Sequence, residues 1–273
     1  MRINCPILAV IGYKASGKTT VVETLVPELI KEGFSVASIK HIAHENFSLD
    51  REGSDTWRHW MGGANPVIAF SGNEVDIMVR APNISLEEVS KATLFFGANI
   101  IILEGFSSAV IRERGIGKII CVRSLEEYNE FKNHVKDDLI AFCSLQDLGA
   151  HILNIREDRK ILIERTLNFV KRRARILEIL NSLARLDCGK CGRNTCEDLA
   201  EEIYRGAASI EDCTIMKMKN RLNAKITVYG RDIPLQPFVS ELIRRTILAM
   251  VSSLKNVEIS GDENVYVDIS RRN

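Results

Sequence analysis

The feature that most constrains the fold of this chain is the segment Gly12–Thr19, GYKASGKT. It fits the pattern G-x-x-x-x-G-K-[ST], follows the apolar run PILAVI and precedes an amphipathic stretch. In such a loop the backbone N–H groups turn toward phosphate, because glycine permits the required backbone angles and the helix N-terminus favours negative charge. The segment therefore predicts a strand, a phosphate-binding loop (P-loop) and a helix, in that order.

The first half of the chain alternates apolar, β-branched runs with amphipathic segments. The strand candidates are PILAVIG, SVASIKH, VIAFS, EVDIMVR, NIIILEGF, KIICV and LIAFCS, and the clearest helical patterns are TTVVETLVPELIKEG and SLEEVSKATLFF. Continuous apolar strands joined by helices predict an α/β fold of the P-loop class, with a mainly parallel sheet covered by helices on both faces.

The length of 273 residues exceeds what one hydrophobic core usually serves. We predict a nucleotide-binding domain over 1–156, a connecting helix or broken helix pair over 157–186, a helical four-cysteine domain over 187–216 and a small α+β domain over 217–273, which closes with the strand VYVDIS. Thirty-seven basic residues nearly balance 36 acidic ones, so no general attraction to nucleic acid or membrane is expected. No apolar run reaches the roughly 18 residues of a membrane span, and we expect a cytoplasmic protein.

Two residues of the first domain, Lys18 and Glu104, are predicted to be catalytic. Lys18 neutralises the β- and γ-phosphates, and Glu104 lies at the carboxyl end of a buried strand, where ligands of open α/β sheets gather. A buried, unpaired carboxylate costs several kcal/mol, so either a cation or a donor lies opposite Glu104 or the group is neutral. We favour Mg²⁺ over a structural salt bridge. The predicted nucleotide contacts are Gly12, Lys14, Ala15, Ser16, Gly17, Lys18, Thr19 and Thr20.

The Thr19 hydroxyl is the predicted Mg²⁺ ligand within the loop, and a polar segment after the second strand offers a further acidic one. Asp50 is the candidate there, with Asp55 as the alternative. The same segment carries His41, His44 and His59, which fit surface or substrate-contact residues better than a transition-metal site.

Four of the seven cysteines crowd into one short stretch. Cys188, Cys191, Cys196 and Cys213 supply four thiolates, the number that a 4Fe-4S cluster needs. Zinc is the alternative, although zinc ribbons usually present two C-x-x-C knuckles and only one occurs here. A helix after Cys196, ending near Gly206, should carry one ligand and shield the centre with its apolar stripe.

A basic run, Lys171, Arg172, Arg173 and Arg175, lies in the connecting helix. We interpret it as a solvated helix face, with an anionic partner as the alternative.

Taken together, GYKASGKTT, IKHIAH, the run from Asp50 to His59, Gly63-Ala64 and LEGF resemble MobB, a family of P-loop proteins associated with adding guanosine nucleotide to molybdopterin. The resemblance covers roughly residues 5–150. It implies binding and weak hydrolysis of GTP, with Gly12, Gly17, Lys18, Thr19 and Thr20 on the phosphates. Likeness to the wider P-loop class, in which a Thr, an Asp after the second strand and a Glu before Gly share the ion, implies Mg²⁺ held by Thr19, Asp50 and Glu104. It also implies that the protein assists the molybdenum cofactor nucleotidyltransferase. We further expect a homodimer, with a molybdo- or tungsto-enzyme as the alternative partner.

Two features depart from related P-loop patterns. The lysine that related dimeric ATPases place directly after the first glycine is replaced by Tyr13, with Lys14 one position later. No N-K-x-D or T-K-x-D motif occurs, so the preference for GTP comes from the resemblance alone and ATP stays open. No arginine finger or water-positioning residue can be assigned, and any GTPase activity of the isolated chain should be slow.

The cysteine stretch is similar to the small four-cysteine iron-sulfur domain of corrinoid iron-sulfur proteins. Two functions are consistent with the combination: an accessory GTP-binding protein of molybdenum or tungsten pterin cofactor synthesis, or a nucleotide-gated electron-transfer or metallocentre-activating protein. In a third interpretation the cluster is purely structural and residues 217–273 form a dimerisation unit.

Overall fold

A computed structural model describes residues 3–44, 47–80, 83–149, 151–219, 224–254, 257 and 266–267. The chain divides into two compact units, Met1–Ala174 and Arg175–Asn273. Within the ranges given, every helix is too short or too polar to cross a lipid bilayer.

The first unit is built on a parallel sheet of six strands among the described residues, in the order β2-β5-β1-β6-β7-β8. These strands are β1 (Ile7–Gly12), β2 (Val36–Lys40), β5 (Ile100–Glu104), β6 (Ile116–Cys121), β7 (Leu139–Ser144) and β8 (Ile152–Asn154). Every pair runs parallel. The α/β prediction is confirmed, and the short strand β8 is an element that the sequence patterns did not single out.

Helices cover both faces of this sheet, because the central strands are apolar on both sides. The helices of the first unit are α1 (Lys18–Lys31), α2 (Asp55–Met61), α3 (Leu86–Phe95), α4 (Ser107–Val110), α5 (Leu125–His134) and the long α6 (Arg159–Ser182), which contains the boundary between the units. One core holds Leu25 of α1 and Phe169 of α6, and the other holds Val110 of α4 and Phe131 of α5. Strands β1 and β5 lie between the two cores and are almost entirely buried.

Two of the predicted strands leave the main sheet. β3 (Val67–Phe70) and β4 (Val75–Met78) pair only with each other in the described part of the chain, as an antiparallel hairpin. Ile68 stands opposite Ile77 and Phe70 opposite Val75, so these four share one face. All four are exposed. Within the described residues, the hairpin therefore presents an exposed apolar face.

The basic run predicted as a solvated face is ion-paired along α6. Lys171 pairs with Glu32 at 2.6 Å, and Arg172 pairs with Asp138 at 3.1 Å. In the second unit Arg175 pairs with Glu178, one turn farther along the same helix. These half-exposed ion pairs neutralise much of the positive charge that would attract an anionic partner.

The second unit contains the end of α6, then α7 (Cys196–Tyr204), a 3₁₀ turn (Ile210–Asp212), α8 (Thr214–Lys219), β9 (Ile226–Val228), β10 (Arg231–Ile233) and α9 (Pro237–Ser252). Its core joins Leu180 and Leu183 to Leu199 and Ile215. The pattern after Leu222 forms a hairpin, β9–β10, followed by the expected helix. The strand predicted for VYVDIS lies mostly outside the described residues.

Candidate functional site

The loop between β1 and α1 is fixed by two glycines that no other residue could replace without strain. Gly12 and Gly17 have positive φ angles of 145° and 96°. A Cβ on Gly12 would lie 2.2 Å from the carbonyl oxygen of Cys121, and one on Gly17 would lie 2.7 Å from Cδ1 of Ile155. The backbone of the loop therefore packs directly against β6 and the segment after β8.

The N-terminus of α1 is left open toward this loop. Its N-cap, Gly17, has no side chain to accept a hydrogen bond from the first turn, and that turn contains no acidic residue. Helix N-terminal N–H groups without a capping side chain, together with the helix dipole, form an anion-binding site. This geometry suits a phosphate group.

Two side chains of the loop add to that site. The Lys18 ammonium donates to the carbonyl oxygens of Gly12 at 2.9 Å and Tyr13 at 2.5 Å, so it lies over the loop. Ser16 is 1% exposed, and its hydroxyl has no hydrogen-bond partner among the described residues. An unpaired buried hydroxyl is costly, and a polar ligand in the loop would satisfy it.

Beside the loop, the structure brings Thr19 and Glu104 together. The Thr19 hydroxyl donates to Oε1 of Glu104 at 2.9 Å, and the Lys40 ammonium forms an ion pair with the same oxygen at 2.9 Å. Glu104 is only 6% exposed. A donor and a cation therefore both lie opposite this carboxylate, and the cation is Lys40. This is the structural salt bridge that the sequence analysis ranked below Mg²⁺, and the Mg²⁺ site stays a prediction.

Asp50, the other predicted Mg²⁺ ligand, makes its contacts within its own loop. Its Oδ1 accepts hydrogen bonds from the Ser54 hydroxyl and the Arg51 N–H, both at 2.8 Å. Desolvation raises the pKa of Asp50, but these hydrogen bonds outweigh it and hold the pKa below its usual value. Oδ2 is buried without a partner in the described structure, so this carboxylate keeps an open acceptor.

The histidines of this segment do not assemble into a metal site. The His41 ring packs against Phe106 with ring centroids 5.0 Å apart, and the backbone N–H of His41 donates to the backbone carbonyl of Glu104 at 2.9 Å. Asp55, the alternative acidic ligand, lies at the start of α2 with its carboxylate 3.8 Å from Arg58. Among the residues that the structure describes, no three metal-binding side chains converge on one point.

Arg123 is a second residue that the sequence patterns did not indicate. It follows β6, donates to the Lys14 carbonyl at 3.3 Å, and places its guanidinium 5.7 Å from the Tyr13 ring centroid. An ion pair with Glu127 orients it, and the hydrogen bond to Glu127 raises the pKa of Arg123 further. Arg123 therefore lies beside the P-loop with much of its positive charge neutralised by Glu127.

In the second unit, Cys188, Cys191, Cys196 and Cys213 line one cavity with an empty volume of about 280 Å³, which includes some open solvent. All are free thiols; Cys196 and Cys213 are buried, and Cys188 and Cys191 are partly exposed. The thiols share this cavity without meeting at one point. Four soft sulfur donors around one cavity fit an iron-sulfur cluster or zinc.

Local structure explains why these cysteines share a cavity. Gly189 and Gly192 have positive φ angles of 68° and 81°, which let the segment between Cys188 and Cys196 turn tightly. The Thr195 capping box starts α7 at Cys196, whose N–H also donates to Asp187 at 2.7 Å. Burial raises the pKa of the Cys196 thiol, so a bound metal would have to favour its thiolate.

Arg193 reinforces the rim of this cavity. Its guanidinium donates to the Cys191 carbonyl at 2.8 Å and pairs with Glu202 at 2.7 Å. Thr214 donates to the Lys190 carbonyl at 3.1 Å, which ties the segment after Cys213 to the first cysteine loop. The Thr214 hydrogen bond thus joins the two chain segments that carry the four cysteines, and Arg193 braces the first of them.

Both regions match models of known protein families. A family model described as "Molybdopterin guanine dinucleotide synthesis protein B" matches residues 7–145, and one described as "Putative Fe-S cluster" matches residues 183–215. A "Putative molybdopterin-guanine dinucleotide biosynthesis adapter protein" of Methanocaldococcus jannaschii is 29% identical over 265 residues, covering 97% of this chain and 98% of that protein.

Two further relatives match only part of this chain. The molybdopterin-guanine dinucleotide biosynthesis adapter protein of Haemophilus influenzae is 33% identical over 132 residues, covering 48% of this chain and 74% of that protein. A crystal structure of a MobB homolog from Bacillus stearothermophilus shares 21% identity with a TM-score of 0.46, covering 62% of this chain and 99% of that one. With its P-loop, its Thr19–Glu104 pair and these sequence matches, the chain belongs to the molybdopterin guanine dinucleotide synthesis protein B (MobB) family.

Proposed function

We propose that this protein binds GTP with Mg²⁺, hydrolyses it slowly, and acts as an accessory protein in the synthesis of a molybdenum or tungsten pterin guanine dinucleotide cofactor. The observation that carries the proposal is the open P-loop beside the Thr19–Glu104 pair. The names of the relatives support the pathway, since both are described as molybdopterin-guanine dinucleotide biosynthesis adapter proteins.

The residues of the loop divide the work of binding the nucleotide. The uncapped N–H groups of α1 and the loop amides bind phosphate oxygens, and the Lys18 ammonium neutralises their charge. Thr19 and Glu104 supply an alcohol and a carboxylate oxygen, the donor type that Mg²⁺ prefers, and Asp50 is the third candidate ligand. Bound Mg²⁺ would supply charge stabilisation to the phosphates during transfer.

Slow hydrolysis follows from what surrounds the phosphates. Phosphoryl transfer is catalysed mainly by positioning and charge neutralisation, and Lys18 supplies only part of that charge. Arg123 is anchored to Glu127 and to the Lys14 carbonyl, so it is held beside the loop. We therefore expect a partner protein to accelerate the reaction, and a molybdenum cofactor nucleotidyltransferase or a molybdo- or tungsto-enzyme is the proposed partner.

The test is equilibrium binding of GTP and ATP with and without Mg²⁺, for the wild type and Lys18→Ala. GTP should bind tighter than ATP, Mg²⁺ should strengthen binding, and Lys18→Ala should weaken it at least tenfold. Lys31→Ala is the control, because Lys31 lies at the far end of α1 in an exposed ion pair with Glu28. Absence of GTP affinity in the folded protein, or equal affinity of the Lys18 and Lys31 variants, would exclude the proposal.

We propose further that the four cysteines hold a 4Fe-4S cluster, with zinc as the alternative. Support comes from the shared cavity and from the family match of residues 183–215. Anaerobic purification followed by iron, sulfide and zinc analysis distinguishes the two metals. About four iron and four sulfide per chain are expected for the cluster, with loss in Cys191→Ser and not in Cys143→Ser, a buried cysteine of β7.

A second candidate function is a nucleotide-gated electron-transfer or metallocentre-activating protein. The four-thiol cavity favours it, because the same donor set that stabilises a cluster can make it redox-active. A reducible cluster whose midpoint potential shifts on nucleotide binding would support this function. A redox-inert cluster that does not respond to nucleotide binding would exclude this function and favour the accessory role.

We also propose a homodimer that forms through the β3–β4 hairpin. A two-stranded sheet is marginal in water, and this one exposes Ile68, Phe70, Val75 and Ile77 on one face. A second copy could both cover that face and pair with a free hairpin edge. Light scattering should find a dimer that Phe70→Glu converts to monomer, whereas Leu49→Glu, an equally exposed loop change, should stay dimeric.

A further inference from the structure

One oxygen of Glu104 serves two partners in this structure. Oε1 accepts the Thr19 hydroxyl at 2.9 Å and pairs with the Lys40 ammonium at 2.9 Å. The proposed function gives both Thr19 and Glu104 to Mg²⁺. The Lys40 ammonium therefore neutralises the same carboxylate oxygen that the divalent ion would need.

The sheet explains why Lys40 reaches that carboxylate. β2 lies next to β5, and their parallel register places Lys40 directly beside Glu104 at the carboxyl ends of both strands. Lys18 lies closer in sequence to Thr19, but its ammonium is bonded to two carbonyls of its own loop. Lys40 is thus the cation that offsets the energetic cost of burying the Glu104 carboxylate in the nucleotide-free structure.

The two members of the pair differ in exposure. The Glu104 side chain is 8% exposed, whereas that of Lys40 is 54% exposed. A half-exposed ammonium can turn into water at small cost, while the buried carboxylate cannot follow it. The His41 N–H keeps its hydrogen bond to the Glu104 carbonyl at 2.9 Å, so the strand pairing need not change when the side chain moves.

We propose that Lys40 is a placeholder cation: it neutralises Glu104 in the nucleotide-free protein and releases it when Mg²⁺ binds with the nucleotide. This inference rests on the proposed function and assigns to Lys40 a positioning role at the same site. Since the ion pair must break before the metal can bind, Lys40 weakens the affinity for Mg²⁺. It also keeps the carboxylate oriented toward Thr19 in the absence of the metal.

The test is a Mg²⁺ titration of the thermal unfolding temperature at fixed GTP, compared between variants in identical solutions. Lys40→Met should lower the Mg²⁺ midpoint about fivefold, as expected for a partly exposed ion pair. Lys40→Arg should raise it about threefold, because a guanidinium binds a carboxylate more tightly. Lys31→Met, which removes an exposed ion pair far from Glu104, is the control and should leave the midpoint unchanged.

A second measurement separates the placeholder from a purely structural ion pair. Lys40→Met should lower the unfolding temperature in EDTA without nucleotide, and the loss should vanish with Mg²⁺ and GTP. An equal loss of unfolding temperature with and without Mg²⁺ and GTP, or no loss in either condition, would overturn the role of Lys40. Mg²⁺ midpoints of Lys40→Met and Lys40→Arg that both lie within twofold of the wild type would overturn it as well.

If Lys40→Met does not fold, the opposite shift expected of Lys40→Arg still decides the matter. A wild-type protein that GTP and Mg²⁺ fail to stabilise would overturn the proposed function and this inference together. A normal wild-type response with unshifted variants would overturn the inference alone.

Discussion

Replacement of Gly12 by alanine tests whether the P-loop backbone is held as tightly as the structure indicates. Gly12 has a φ of 145°, and a Cβ there would lie 2.2 Å from the Cys121 carbonyl oxygen and 2.7 Å from the Ser16 hydroxyl. The carbonyl belongs to β6, which is paired with β1 on one side and β7 on the other. The clashing atom is a backbone oxygen, so no side-chain rotation can relieve the clash. β1 and β6 cannot move apart without breaking the backbone hydrogen bonds that pair them.

The cost has two parts of similar size. Holding a residue with a side chain in a sparsely populated backbone region costs about 1–3 kcal/mol, and forcing extra atoms into a packed interior costs about 1–3 kcal/mol more. The sum, about 2–6 kcal/mol, is a large fraction of the roughly 5–15 kcal/mol by which a typical domain is stable. Gly12→Ala should therefore be severely destabilised.

Gly33→Ala is the matched control. Gly33 also has a positive φ, 87°, but a Cβ there would have no atom within 4 Å, so only the backbone strain of about 1–2 kcal/mol remains. Urea unfolding followed by tryptophan fluorescence measures both variants, since Trp57 and Trp60 are the two tryptophans and lie in the first unit. Gly12→Ala should lose at least about 1 kcal/mol more than Gly33→Ala. Equal losses would refute the claim that β6 constrains the loop.

Two further predictions follow from groups away from the loop. Burial lowers the pKa of Lys118, whose ammonium donates to the carbonyls of Glu113 and Asp137. The pKa of Lys118 in the folded protein lies below the 10.5 of the unfolded chain, so the free energy of unfolding should increase as pH rises from the folded pKa to 10.5. Urea midpoints measured at pH 8 and pH 10 should show this increase in the wild type and not in Lys118→Met. Hydrogen bonds from the Ser85 N–H and hydroxyl lower the pKa of Glu88, so this carboxylate stabilises the fold above its ordinary pKa, and the effect is lost as pH falls through the lowered one. Ser85→Ala should raise the pKa of Glu88 in an NMR titration, and an unchanged value would show that the hydroxyl contributes nothing.

The sequence was most informative where chemistry and periodicity agreed locally. The glycine spacing of the P-loop, the apolar runs of the strands and the helical stripe after Cys196 each depend on neighbours along the chain. For that reason the loop, seven strands and helix α7 were predictable from the sequence. The boundaries predicted for the four domains stay predictions, although the structure divides near the middle of α6.

What could not be foreseen depends on strand order. The pairing of Lys40 with Glu104 follows from β2 lying beside β5, although 64 residues separate the two positions along the chain. Nothing in the sequence of β2 distinguishes Lys40 from any other lysine at a strand end. Likewise β3 and β4 have the composition of sheet strands, and only the fold shows that they pair apart from the main sheet.

The uncapped N-terminus of α1 limits how the thermal stability of this protein can be increased. Serine or aspartate at an N-cap is among the most dependable stabilising substitutions, commonly contributing about 1 kcal/mol. At Gly17 the same change would meet Ile155 and would direct an oxygen into the amide groups that face the loop. A side-chain cap at this helix end would therefore occupy the same N–H groups that the anion needs, so a gain in stability there would come with a loss of anion binding.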